Sequence, residues 1–182
     1  MKKLTLLFLS LILLTGCGSS QKKYDKEHLN LYTTYWKSLI NETAFQTSSR
    51  NFDIQVEMVK EVGEDDYTYY ISVDKPKIAM YDVQIVVVEN KATTFNTEDM
   101  LPSAGIFEKE FHLIPNQVKE DSQFKEGAIL ARQGLKEPSV KTQVLVTWKN
   151  FTRLESFKEV FEFDITYQEP EPEPASDAEG ED

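Results

Sequence analysis

The 182-residue chain carries 31 acidic against 20 basic side chains, a formal net charge of −11. Seven of those acids lie in the last fourteen residues with no base among them, and the remainder is still acidic, which argues against nucleic acid as a partner because phosphate binding needs clustered Lys and Arg. With 12% aromatic and 40% hydrophobic residues, the chain holds enough apolar material for one packed domain plus tails.

The first segment is Met1 to Cys17. Lys2 and Lys3 give a basic start, and Leu4 to Leu14 is apolar and uncharged. That run is too short to span a bilayer core, which takes about 20 residues. It fits the apolar region of an export signal behind a positively charged start. Leu14-Thr15-Gly16-Cys17 then follows, and Cys17 is the only cysteine of the chain.

These residues resemble the lipobox of bacterial lipoprotein precursors, Leu-x-Gly/Ala-Cys. The resemblance covers the signal alone. It implies cleavage between Gly16 and Cys17, diacylglycerol attached to the Cys17 thiol, and Cys17 as the mature N-terminus on the outer face of the cell membrane. Two acyl chains hold a soluble domain firmly where one binds only marginally. The alternatives are an ordinary cleaved signal with an incidental cysteine, an uncleaved anchor, or a released signal peptide with a second use. The mature domain has no cysteine, so it must be stable without disulfides. The excess of 17 Lys over 3 Arg, an association with AT-rich genomes, points to a Gram-positive host.

Gly18 to Lys23 reads as a polar tether, its two lysines placed to rest on anionic headgroups or simply to space the domain. Tyr24 to Asn41 reads as a helix, because Leu29, Tyr32, Trp36, Leu39 and Ile40 recur at spacings of three and four. Asp25 near its start suits the helix dipole. The pattern then changes period. Phe52, Ile54, Val56 and Met58 alternate with polar residues, as do Tyr67, Tyr69, Ile71 and Val73. Gly63-Glu64-Asp65-Asp66 lies between them, so the two read as a hairpin. Glu64, Asp65 and Asp66 are the one calcium candidate, but they lack the spaced oxygens of a calcium loop, and a solvated turn is the expectation.

Ile78 to Glu89 is the third expected strand. Ile85-Val86-Val87-Val88 is apolar on both faces, which predicts cover on both sides, with the N-terminal helix supplying one of them. Asn90 to Gly105 reads as a long loop, and such loops carry binding function on rigid scaffolds. Phe95, Met100 and Leu101 within it, together with Tyr70 on a strand, are the candidate partner contacts. The loop residues either meet a partner or tuck beneath the loop. Strands are expected over Ile106 to Leu113, Gly127 to Ala131, Val140 to Trp148 and Phe161 to Tyr167, with a turn at Asn150 to Ser156.

No Gly-rich phosphate loop, nucleophile elbow or His-based metal motif appears. His28 in the helix and His112 on the polar side of a strand stand alone, with no motif marking convergent partners. Asp53, Asp74, Asp82 and Asp164 are expected to face solvent beside core positions. A hydrolase built on converging strand carboxylates is the residual enzyme reading. Asn41-Glu42-Thr43 and Asn150-Phe151-Thr152 match glycosylation acceptors by chance in such a chain.

The expected organisation is a signal peptide at 1–16, a lipidated cysteine and tether at 17–23, and a helix and link at 24–50. An all-β domain at 51–168 and a Pro/Glu tail at 169–182 follow. That tail alternates proline with acid and can form neither a core nor a strand ladder. Seven or so strands with closely spaced turns predict an antiparallel immunoglobulin-like sandwich, with a small β-barrel as the alternative. The expected function is a membrane-anchored, non-enzymatic binding or accessory module for a protein or cell-wall partner, with no cofactor. A small-ligand or solute-binding lipoprotein is the second reading.

Overall fold

The computed structural model describes residues 24–60, 63, 65–97, 99–119 and 123–169. The expectations for the signal, Gly16, Cys17, the tether, Glu64 and nearly all of the acidic tail lie outside these residues. The described chain is mostly β, with one helix. In order the elements are α1 (Lys26–Ile40), β1 (Asp53–Lys60), β2 (Tyr67–Asp74), β3 (Met80–Glu89) and β4 (Ser103–Ala104). They continue as β5 (Phe111–Leu113), β6 (Phe124–Lys125), β7 (Gly127–Leu135), β8 (Ser139–Lys149) and β9 (Ser156–Thr166).

Two sheets form. One runs β1-β2-β7. The other runs β6-β5-β3-β8-β9, with β4 also on β3. All pairings are antiparallel except β5 with β6, which is parallel. Neither sheet closes into a barrel, so the barrel alternative is not the architecture adopted. Among the described residues no helix is long and apolar enough to cross a membrane.

The period-2 alternation sorts side chains between the layers. Met58 of β1, Tyr69, Ile71 and Val73 of β2, and Leu130 of β7 face Val83, Ile85 and Val87 of β3. Val144, Val146 and Trp148 of β8 and Phe161 of β9 complete that core. The opposite face of β3, β8 and β9 contributes Val86, Val88, Leu145 and Val160. These pack under Tyr32, Trp36 and Leu39 of α1. The double-sided apolar run of β3 is therefore explained: alternate residues feed two cores. Asp25 caps α1, its side chain accepting from the Glu27 amide at 2.8 Å. Beyond the helix, the Gln46 amide donates to the Val160 carbonyl at 2.9 Å, which ties the link to β9.

Three expectations need correction. Asp82 does not face solvent: it is 6% exposed. His112 is not on a polar face either: it is buried at 4% exposure. The expected strand at 106–113 is cut to Phe111–Leu113. Gly105 adopts φ +71, and the chain turns there, which sends Ile106 and Phe107 into the helix-side core instead of along β3. Two strands are also longer than expected: β7 runs to Leu135, and β9 begins at Ser156.

Candidate functional site

A bulge in β3 builds the most structured polar feature of the domain. Pairing with β8 goes from Tyr81↔Lys149 to Gln84↔Thr147, so Asp82 and Val83 together oppose Trp148. Pairing with β5 goes from Met80↔Leu113 to Val83↔Phe111, so Tyr81 and Asp82 oppose His112. Asp82 is the residue common to both irregularities. Its φ of +48 lies in the left-handed region, which Asp tolerates better than most residues. A bulge of this kind re-aims a side chain.

The re-aimed carboxylate meets two cations. Lys149 Nζ lies 3.2 Å from Oδ2, and Arg153 Nε lies 3.2 Å from Oδ1. The Asp82 amide donates to His112 Nδ1 at 3.1 Å. A ring accepting at Nδ1 carries its proton on Nε2 when neutral. Burial pushes the Asp82 carboxyl up, but hydrogen bonds from Lys149 and Arg153 and their charges outweigh it and hold it below the ordinary range. Aromatic rings enclose the knot. The Arg153 guanidinium lies 4.9 Å from the Tyr81 ring centre, and Tyr81 stands 5.3 Å from His112 and 5.8 Å from Phe151.

The knot fixes the turn joining β8 to β9. Within that turn the Arg153 amide donates to the Asn150 carbonyl at 3.0 Å, and the Asn150 amide donates to the Glu155 carbonyl at 3.1 Å. The Asn150 side chain donates to Glu155 Oε2 at 2.7 Å and accepts from Thr152 Oγ1 at 2.9 Å. This braced tip carries Phe151 at 74% exposure and Leu154 at 87%. Beside it a groove of about 400 Å³ runs between α1 and the end of the sheet, past Tyr35, Gln84, Thr147 and Phe157. Gln84 Oε1 accepts from the Tyr35 hydroxyl at 2.6 Å and from Thr147 at 3.3 Å, so the groove floor is set. Chemically the arrangement clamps and presents. The Asp82 oxygens face the Lys149 and Arg153 cations.

The residues singled out from sequence are scattered. Tyr70 is half-buried on the outer face of the three-stranded sheet, where it lines a shallow groove of about 430 Å³ with Gln55, Ser72 and Ile129. Phe95, Met100 and Leu101 are half-buried against the helix-side core. Asp65 is exposed, and Asp66 pairs with Lys136. Among the described residues, no group of three or more His, Cys, Asp or Glu is placed to hold a metal ion. The residues that sequence reasoning missed are Arg153, Phe151 and Leu154, and it placed Asp82 on the solvent side. Their signals were an acid inside an apolar strand run and two large apolar residues inside an expected turn. No protein-family model, curated protein or solved structure matches the chain.

Proposed function

We propose that this protein is a lipid-anchored, extracytoplasmic binding or accessory module of immunoglobulin-like sandwich type, held to the cell membrane through Cys17 and contacting a protein or cell-wall partner without catalysing a reaction. Leu14-Thr15-Gly16-Cys17 supports the address. The observation that carries the activity is the β8–β9 tip, where Phe151 and Leu154 are exposed on a turn that Asp82, Lys149 and Arg153 make rigid. Scattered exposed apolar side chains are ordinary. Two of them on a braced turn form a contact point whose ordering cost is already met in the free protein.

The test is crosslinking in intact cells with a photoreactive residue in place of Phe151. A discrete adduct is expected, and it should vanish when Leu154 is replaced by Ser. Exposed substitutions of this kind change stability by roughly 0.5 kcal/mol or less, so loss of the adduct reports contact rather than unfolding. No adduct at the tip, or an adduct indifferent to Leu154→Ser, removes the reading. The address has a separate test: Cys17→Ser should abolish incorporation of labelled fatty acid.

A further inference from the structure

The groove beside the tip has a floor that strand register builds. In the pairing of β8 with β9, Thr147 stands opposite Lys158 and Lys149 opposite Ser156. Opposite residues share a face of the sheet, and so do residues two apart on one strand. All four therefore lie on the face that Leu145 and Val160 present to α1. Gln84 joins them from β3, opposite Thr147. These five residues and Tyr35 line the open groove, so this strip of the face is not covered by α1, which ends at Ile40.

The charge that the strip offers to a ligand has one sign. Lys149 and Lys158 are 42% and 56% exposed. Asp82, the one acid among the lining residues, is buried with its oxygens turned to Lys149 and Arg153. The two lysines occupy the diagonal of a cross-strand square, about 7–8 Å apart at the backbone. A small anionic group set between them is within reach of both ammoniums. Each ammonium has three donors and faces one acid, Asp82 for Lys149 and Glu42 for Lys158.

The contact of Lys158 with Glu42 is loose, at 3.5 Å. Glu42 is oriented by its own backbone instead, its Oε1 accepting from the Thr43 and Ala44 amides at 3.1 and 3.4 Å. An exposed ion pair of that length contributes little, so an incoming carboxylate can take the lysine over. Glu155, the acid of the adjoining turn, is engaged by the Asn150 side chain at 2.7 Å.

We infer that the strip and the tip together receive an acidic peptide segment of the partner, with one carboxylate bridging Lys149 and Lys158 and an adjoining apolar side chain meeting Phe151 and Leu154. This rests on the reading that the tip contacts a protein. Charge complementarity points to the carboxylate. Continuity points to a peptide: Lys149 and Ser156 flank the very turn that carries the two exposed apolar side chains, so the charged and apolar contacts are neighbours, as adjacent side chains of a peptide are. A polyanionic polymer brings the charge without the apolar group, and it meets the repulsion of a chain whose net charge is −11.

The test follows the backbone amide resonances of Lys149, Ser156 and Lys158 in the full chain during titration with N-acetyl-Phe-Glu-amide, its neutral counterpart N-acetyl-Phe-Gln-amide, and inorganic phosphate. The glutamyl peptide should shift them saturably, and the glutaminyl peptide should bind about two- to fivefold more weakly, the factor that an exposed charge pair is worth. Added salt should erase that difference. Lys149 belongs to the knot, so Lys158 is the residue to vary. Lys158→Gln should bring the glutamyl peptide down to the level of the glutaminyl one. Glu42→Gln keeps an acceptor for the Thr43 and Ala44 amides but removes the competing charge, and it should tighten the glutamyl peptide about twofold. Equal binding of the two peptides, no binding of either, or a glutamyl affinity unmoved by Lys158→Gln overturns the inference. Phosphate binding more tightly than the glutamyl peptide overturns it in favour of a polyanionic polymer. The photoreactive residue at Phe151 separates this failure from that of the tip: an adduct that forms equally in Lys158→Gln, with no preference for the glutamyl peptide, removes the acidic seat and leaves the tip contact standing.

Discussion

The backbone amide of Asp82 donates to Nδ1 of His112 across the bulge of β3, at 3.1 Å. Bulged residues lose their ladder partners, and a buried amide without one is expensive. Here a side chain from β5 takes the place of the missing carbonyl. The Asp82 side chain is thereby left to organise Lys149 and Arg153, and through them the turn that carries Phe151 and Leu154.

Charge and backbone geometry at position 82 are separable by substitution. Asn tolerates the left-handed region as Asp does, so Asp82→Asn removes mainly the charge. Lys149 and Arg153 are 42% and 46% exposed, so they regain water when released, and the expected loss is about 1–2 kcal/mol. Asp82→Ala should lose roughly 1 kcal/mol more, because alanine meets the steric penalty of φ +48 without a compensating polar group. Urea unfolding of the two variants measures the difference. Equal losses would show that the bulge imposes no backbone demand.

Acid should expose the same knot. Burial alone would raise the Asp82 carboxyl, but Lys149 and Arg153 bring it below its ordinary value of 3.8. The unfolded chain therefore binds this proton at a higher pH than the folded one. The stabilisation is complete above 3.8 and drains as pH falls through the lower folded value. Unfolding free energy followed below pH 4 should fall more steeply for the native chain than for Asp82→Asn. Parallel curves would show that the carboxylate is not held by its cations.

Trp36→Asp should destabilise the domain by roughly 3–5 kcal/mol. It removes a large ring that is 2% exposed and buries a carboxylate among Val86, Leu145 and Val160. Thermal melting checks this. An unchanged midpoint would mean that α1 does not depend on the sheet.

Gly105→Ala should also destabilise, by about 2 kcal/mol or more. Its φ is +71, and an added Cβ would collide with the Val83 carbonyl oxygen and press on Phe111. Denaturant melts should show the loss. A neutral outcome would mean that the chain has another way around this corner.

The layers were legible in sequence where one period ran undisturbed. Alternation from Phe52 to Met58 and from Tyr67 to Val73 placed the first hairpin, and its register runs Asp53↔Asp74 to Lys60↔Tyr67 without a break. The apolar run at Ile85–Val88 announced two-sided cover, and Val86 and Val88 do meet α1. Alternation misled at Asp82, because a bulge shifts the phase by one residue and the only local mark of it was an acid within an apolar run. It misled at Ile106 and Phe107 because a left-handed glycine redirected a segment whose pattern still read as strand. The rings around Tyr32 were visible only as a helical stripe: Phe95 and Phe107 reach them from far along the chain, and spacing within one element holds no trace of that.

The helix layer is attached differently from the sheets. Strands are joined by backbone ladders, whereas α1 rests on the sheet through side chains, with Tyr35 on Gln84 and Glu42 on Lys158 as its polar fasteners. Local opening of a protein follows such boundaries. By that rule α1 is the layer expected to open first, baring one face of β3, β8 and β9 while each sheet keeps its own backbone ladders, so that the amino-terminal layer would serve as a removable cover.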